Sequence, residues 1–190
     1  MELYVLPAGS GDIPVLEKIN EEAIPAAERN TLNDLMATGA EILGIREDQE
    51  PAGFMVTRKY GGILYLAYLA VRKDLRSKGI GGQALRELIR TYPDCQVIVE
   101  FEAPDGGSAA DDINRRRKGF YLRNGFHETG WYTFYDDTEF EIACSRPDYD
   151  PDAFAAFVSW LGTIISDHIP QPYRKNKQSR QSGSSEEKQC

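Results

Sequence analysis

Cysteine and histidine are scarce in this chain of 190 residues, which contains three cysteines and two histidines. The cysteines Cys95, Cys144 and Cys190 are widely spaced and odd in number, whereas a disulfide framework or a zinc site needs paired or clustered cysteines. The histidines, His127 and His168, stand alone in the sequence. We therefore expect no disulfide framework and no metal site.

The chain also lacks an excess of positive charge and any long apolar run. Its formal net charge is -8, whereas nucleic-acid binding needs clustered Lys and Arg to displace counterions. No apolar run approaches the roughly 20 residues that span a bilayer, and the first residues lack the basic start and apolar core of a signal peptide. We expect a cytoplasmic protein without nucleic-acid or membrane partners. The acidic balance suits a cationic substrate, but it equally serves solubility.

Strands and helices are predicted along most of the chain. Hydrophobic residues make up 41% and charged residues 27% of it, values typical of one globular domain. Predicted strands cover residues 3–6, 41–46, 53–59, 63–71, 96–102, 128–135 and 139–144, and predicted helices begin near residues 13, 31, 80, 111 and 150. The pattern indicates an α/β (α+β) domain over residues 1–170, with a polar tail, 171–190, that is expected to be disordered.

The most informative segment is a basic arm that leads from the fourth predicted strand into glycines at the start of a helix. Glycines let the backbone approach a ligand closely, and the N–H groups of a first helical turn attract anions. The candidate binding residues on this loop are Arg76, Ser77, Lys78, Gly79, Ile80, Gly81 and Gly82. The segment predicts an anion-binding loop, although a glycine-rich turn without a ligand has the same pattern.

Two nucleotide-binding motifs compete for the same glycines. Gly79-x-Gly81-x-x-Ala84 formally matches the dinucleotide fingerprint, and Glu100 lies near its acidic position. That fingerprint needs a tight turn directly after the strand, whereas here residues 72–78 intervene. No Gly-Lys-Ser/Thr follows, which excludes a Walker-type P-loop.

Two separate motifs resemble those of the GNAT superfamily of acyl-CoA N-acetyltransferases. Residues 76–81 have the spacing Arg-x-x-Gly-x-Gly of its acyl-CoA signature, and Asn114 lies seven residues before a Tyr-x-x-x-Gly-Phe segment at 121–126. The order of elements over about residues 2–145 is also similar, and residues 22–29 resemble a poorly characterised bacterial branch. The resemblance implies one GNAT-like domain with a mixed, mostly antiparallel sheet of about seven strands. Helices would flank the sheet, and two central strands would splay apart.

The resemblance also implies acetyl-CoA as the cosubstrate. Its pyrophosphate would lie on the amides of residues 76–82, and its pantetheine arm between the strands 63–71 and 96–102. Leu69, Ala70 and Val71 would line that arm, with an N–H near Leu69 or Ala70 bonding the acetyl carbonyl and stabilising the oxyanion. Asn114 would bond either the coenzyme arm or a strand end.

Three residues are candidates for proton transfer. Tyr121 occupies the position at which the family has a general acid for the leaving thiolate, although packing beside Phe120 would explain it equally well. Glu100 and Glu102 alternate with apolar residues and so share one face of their strand. Either is a candidate base, or both are charges on a solvated edge.

The expected function is transfer of an acetyl group to a primary amine of a small molecule or peptide, by direct attack. The alternative is an inactive acyl-CoA-binding module that serves as a sensor or scaffold. The basic run at residues 115–118 either reaches the coenzyme phosphates or forms a solvated helix face. Both a monomer and a homodimer are compatible with the sequence.

Overall fold

A mixed sheet forms the centre of the protein in a computed structural model that describes residues 1–26, 28–104, 109–165 and 169–175. Within these ranges eight strands lie in the order β1-β2-β3-β4-β5-β7-β6-β8. The strands are β1 (Glu2–Val5), β2 (Glu41–Glu47), β3 (Glu50–Tyr60), β4 (Ile63–Val71), β5 (Gln96–Glu102), β6 (His127–Tyr135), β7 (Thr138–Cys144) and β8 (Tyr173–Arg174). All neighbouring pairs are antiparallel except β4 and β5, which confirms the mostly antiparallel sheet.

Helices cover both faces of the sheet. They are α1 (Ile13–Ala23), α2 (Leu32–Ala37), α3 (Ile80–Thr91), α4 (Ala109–Arg123) and α5 (Pro151–Ile165). Apolar side chains of α1 and α2 pack on one face of β2, β3 and β4, and α5 packs on the same face further along the sheet. α3 and α4 pack on the opposite face. None of the helices in the described ranges could cross a membrane.

The two central strands separate as the sequence analysis predicts. β4 and β5 pair over three positions, from Ile63–Gln96 to Tyr65–Ile98, and then diverge as β4 continues to Val71 and β5 to Glu102. The divergence begins next to a bulge at Ala67, because Val56 and Thr57 of β3 face Tyr68 and Leu66. A bulge bends its strand and ends regular pairing. The result is a gap between the second halves of β4 and β5.

The sheet has one more strand than predicted. Tyr173 and Arg174 pair with Tyr132 and Trp131 of β6, within the segment that was expected to be disordered. That expectation is wrong for these two residues, because the exposed edge of β6 offers them backbone partners. Residues 176–190 lie outside the described residues, and the boundary at residue 170 stays a prediction.

Candidate functional site

The predicted anion-binding loop is a compact turn between β4 and α3. A short 3-10 turn, Lys73–Leu75, follows β4, and Arg76 Nε donates to the carbonyl of Val71 at 2.9 Å, which folds the chain back. Gly79 then begins α3 with φ +86°, and no side chain caps the helix. The first-turn N–H groups of α3 therefore keep their capacity to bind an anion.

This turn forms one wall of a cleft of about 560 Å³, here called the α3 cleft, a volume typical of small-molecule sites. Most of the predicted binding residues line it: Leu69, Val71, Arg76, Ser77, Gly79, Ile80, Gly81 and Gly82. Five further residues that were not predicted from the sequence also line it: Leu75, Arg86, Phe120, Arg123 and Asn124. Ala70, Lys78 and Asn114 do not.

The two consecutive glycines of α3 have different roles. A Cβ at Gly81 would lie 3.4 Å from Phe120 Cζ and 3.6 Å from Val71 Cγ2, so a longer side chain there would project into the cleft. A Cβ at Gly82 would lie 2.5 Å from Asn124 Oδ1. Asn124 in turn accepts a hydrogen bond from Arg86 at 2.6 Å. Gly82 thus allows α3 and α4 to approach, and Gly81 leaves room for a ligand.

Positive charge gathers in the α3 cleft although the chain is acidic overall. Arg76, Arg86 and Arg123 all line it. The basic run of α4 does not reach it: Lys118 pairs with Glu141 at 2.8 Å and also with Glu128. Three guanidinium groups near a helix N-terminus make this cleft suitable for a phosphorylated ligand.

The backbone of β4 offers donors to the gap. Arg72 N–H bonds to the Ala52 carbonyl of β3 at 2.8 Å. Because backbone groups alternate in direction along a strand, residues 68 and 70 also face β3, whereas the N–H groups of Leu69 and Val71 face away from it. Ala70 is 2% exposed and packs with the α1 and α2 cluster, so of the two candidate donors only Leu69 faces the gap.

A second cleft of about 460 Å³, here called the β5 cleft, opens on the other side of this gap. Leu69 lines both clefts, so they meet at the point where β4 and β5 separate. All three residues predicted to transfer protons, Glu100, Glu102 and Tyr121, line the β5 cleft. Its other lining residues are Ala23, Ile24, Pro25, Glu28, Tyr65, Ala67, Tyr68, Arg117, Tyr135 and Phe140.

Glu100 is a partly buried carboxylate held by hydroxyl groups. Tyr65 donates to Glu100 Oε2 at 2.8 Å, and Thr133 donates to the other carboxylate oxygen. Burial nevertheless raises the pKa of Glu100, because the loss of hydration outweighs the stabilisation that these hydroxyl groups give its charged form. A carboxylate with a raised pKa is a stronger base than an exposed one.

Tyr121 combines aromatic packing with a place in the β5 cleft. Its ring stacks on Phe101 with centroids 5.6 Å apart and meets Phe120 and Phe126 edge-on. Burial raises the pKa of Tyr121, so the phenol carries its proton at neutral pH. The position of Tyr121 therefore agrees both with a role as general acid and with a role in packing alone.

Asn114 forms a hydrogen bond with a residue of the β5 cleft. Its side chain is 9% exposed and donates to Glu102 Oε2 at 3.0 Å. Since Glu102 is the last residue of β5, Asn114 bonds the strand end, and it has no contact with the α3 cleft. Among the described residues no group of acidic, histidine or cysteine side chains is arranged to hold a metal ion.

The profile of the Acetyltransferase (GNAT) family matches residues 13–126, which is more than half of the chain. Among solved structures, a Bacteroides thetaiotaomicron protein assigned to the GNAT family is 21% identical with a TM-score of 0.70, covering 87% of this chain and 98% of its own. An Elizabethkingia anophelis GNAT acetyltransferase with acetyl-CoA bound is 16% identical with a TM-score of 0.56, covering 75% and 95%. The Escherichia coli ribosomal-protein-S18-alanine N-acetyltransferase is 17% identical with a TM-score of 0.55, covering 75% and 92%. No curated protein matches the chain.

Proposed function

We propose, because the chain belongs to the Acetyltransferase (GNAT) family, that it transfers an acetyl group from acetyl-CoA to a primary amine. The acceptor would be a small molecule or a peptide. The observation that carries the proposal is the meeting of two clefts at Leu69. One cleft is lined by arginines and a helix N-terminus, and the other by carboxylates and phenols. A donor with phosphate groups and an acceptor amine would thus approach the same point.

The residues of the α3 cleft fit coenzyme A. The phosphates would lie at the first turn of α3, where Gly81 leaves room and Arg76, Arg86 and Arg123 supply charge. The pantetheine arm would lie along the N–H groups of Leu69 and Val71. Acetyl-CoA would supply an activated acetyl group, and the relative with acetyl-CoA bound supports this choice of donor.

Residues at the junction of the clefts would assist the transfer. The amine nitrogen gains the acetyl group, the thioester bond breaks, and coenzyme A leaves as the thiol. The Leu69 N–H would stabilise the carbonyl oxygen as it becomes negative, an effect of about 2.7–4 kcal/mol for one such donor. Glu100 would accept the proton of the amine, and Tyr121 would donate one to the leaving sulfur.

Direct attack on the thioester requires no covalent enzyme intermediate. Cys95 and Cys144 are free and buried, and burial raises the pKa of Cys144 to about 11. Its thiol is therefore protonated at neutral pH and a poor nucleophile. Free, buried thiols also fit the cytoplasm as the compartment of the reaction.

The replacement Gly81→Glu tests the donor half of the proposal. We expect it to abolish coenzyme A binding, because its carboxylate would enter the α3 cleft and repel the phosphates. Calorimetric titration with coenzyme A measures the affinity, and circular dichroism checks the fold. Gly62→Glu is the matched control, since a side chain at this turn meets nothing within 4 Å. Undiminished binding by the Gly81 variant would contradict the proposal that coenzyme A binds in the α3 cleft.

Thiol release in a mixture of acetyl-CoA and a panel of amines tests whether the protein transfers the acetyl group to an amine. Release above the rate without amine is expected for some members of the panel. Tight coenzyme binding without any release would instead favour the sensor or scaffold alternative.

A further inference from the structure

Arg117 is the one cationic residue among the described residues that line the β5 cleft, whose other lining residues are acidic, aromatic or aliphatic. It lines the β5 cleft together with Glu28, Glu100 and Glu102. Two other members of the basic run have partners: Arg115 pairs with Asp112 and Lys118 with Glu141. In the described part of the chain no carboxylate pairs with the Arg117 guanidinium, although three carboxylates line the same cleft.

Arg117 lies on the same side of α4 as Tyr121, the proposed general acid. It lies four residues before Tyr121 on α4, and residues at this helical spacing are neighbours, with Cβ atoms about 5–6 Å apart. Tyr121 lines the β5 cleft, and the residue before it, Phe120, lines the α3 cleft. A group bound by Arg117 would therefore share the β5 cleft with the amine that is proposed to react.

The charges of the cleft discriminate between classes of amine. A diamine or polyamine would bring its second ammonium towards Arg117 and be repelled. A simple alkylamine would leave the guanidinium without a partner. An amine that also carries a carboxylate would satisfy both signs, because guanidinium and carboxylate groups form paired hydrogen bonds.

We propose that the acceptor is a free amino acid, with its amine near Glu100 and Glu102 and its carboxylate on Arg117. This proposal rests on the proposed function and specifies its substrate class. The carboxylate of an α-amino acid is separated from its amine by one carbon, so both groups would lie in the one cleft that Arg117, Glu100 and Glu102 line. The rings of Tyr65, Tyr68 and Phe140 form walls for an apolar or aromatic side chain.

Matched acceptors test the proposal in the full-length protein. The probes are phenylalanine, phenylalanine amide and 2-phenylethylamine, with alanine, alanine amide and ethylamine as a smaller set. Thiol release at saturating acetyl-CoA gives kcat and KM for each. We expect the carboxylate-bearing member of at least one set to have a kcat/KM about 10- to 100-fold higher, the range for a hydrogen bond between charged groups.

Substitutions in α4 test whether Arg117 causes the expected preference for acceptors that carry a carboxylate. Arg117→Gln is expected to remove most of it through a higher KM, and Arg117→Glu to reverse it in favour of the amide and the simple amine. Arg116→Gln is the matched control, because it removes the same charge from the adjacent residue, which lines neither cleft. Coenzyme A affinity should be unchanged in all three variants.

The outcomes of these experiments distinguish a failure of the amino-acid assignment from a failure of the proposed acetyl transfer. Equal rates within each set, a preference for the amide or simple amine, or a preference that survives Arg117→Gln would overturn the amino-acid assignment and leave acetyl transfer standing. Release with none of the six acceptors overturns the amino-acid assignment alone if other amines of the panel give release, and contradicts the proposed activity as well if no amine does. Absence of coenzyme A binding contradicts the donor assignment and also the amino-acid proposal that rests on it.

Discussion

At the scale of single residues, burial has the same effect on the pKa of the two groups that we propose to transfer protons. Glu100 and Tyr121 line the same cleft, and burial raises the pKa of each. A raised pKa makes the carboxylate a better base and keeps the phenol protonated. The same physical cause thus suits one residue to accept a proton and the other to donate one.

Tyr121→Phe is expected to lower kcat by about 100-fold or more, a usual contribution of general acid catalysis. Coenzyme A affinity should change little, because the ring still packs on Phe101 and Tyr121 does not line the α3 cleft. Steady-state kinetics and calorimetry measure the two quantities. Tyr60→Phe is the control, since Tyr60 is exposed and stacks on Trp160. An unchanged kcat would reduce Tyr121 to a packing residue.

The pH dependence of kcat tests Glu100. A base must be ionised, so kcat should rise with pH through the raised pKa of Glu100, above the ordinary glutamate value of about 4.3. The same raised pKa means that the favourable contribution of the neutral carboxyl to stability is present below its unfolded pKa and lost as pH rises through the folded pKa.

Two amide variants identify the group that titrates. Glu100→Gln is expected to remove the rise of kcat with pH and to lower its plateau, whereas Glu102→Gln should retain the rise. If only Glu102→Gln removed it, Glu102 would be the base.

At the scale of elements, a strand and a helix are each shaped by one unusual backbone feature. The bulge at Ala67 changes which residues of β4 face which side, so Leu66 and Leu69 both pack towards α3 and α4. Gly79 begins α3 in a left-handed conformation that lets the loop turn sharply into the helix. Both features direct backbone N–H groups into the clefts.

Gly79→Ala is expected to lower the free energy of unfolding by about 1–2 kcal/mol, the penalty for a Cβ in a left-handed conformation. Coenzyme A affinity should fall as well, because relief of the strain moves the first-turn N–H groups. Urea unfolding and calorimetry check the two effects. The control is Gly62→Ala, at a glycine without positive φ and with open space around its Cα. Equal stabilities of the two variants would contradict the prediction.

At the scale of the whole molecule, the gap between β4 and β5 weakens the centre of the sheet. Only three register positions join the two halves directly. α5 packs across the closed end, where its apolar stripe contacts Ile63 of β4, Ile98 of β5 and Ile142 of β7. α5 therefore connects the two halves of the sheet at the end where β4 and β5 still pair, away from the gap that forms the candidate site.

Phe157→Ala is expected to lower the free energy of unfolding by about 3–5 kcal/mol, the usual cost of removing a buried phenylalanine. Phe157 is 1% exposed and its ring lies 5.4 Å from that of Tyr65, which holds Glu100. Chemical denaturation measures the loss. Phe134→Ala makes the same substitution at a side chain that is 48% exposed and should cost far less. A similar loss in both variants would argue against a connecting role of α5.

Local sequence determined most of the fold and the loop at residues 76–82. Strands, helices and the glycine turn depend on neighbours within a few residues, so their pattern is visible in the chain. The sequence also placed Glu100 and Glu102 on one face, because side chains alternate along a strand. It could not place Ala70, since the bulge at Ala67 shifts the alternation and depends on pairing with β3.

Tertiary structure alone decided which distant residues share a cleft. Arg86, Arg123 and Asn124 join the α3 cleft because α3 and α4 pack together at Gly82. Thr133 reaches Glu100 because β7 and β6 follow β5 in the sheet, and β8 exists because β6 has a free edge. These contacts depend on strand order and close packing between segments far apart in sequence. Residue spacing therefore predicted the loop that we propose binds the coenzyme, whereas the proposed acceptor cleft, and Arg117 within it, emerged only from the folded chain.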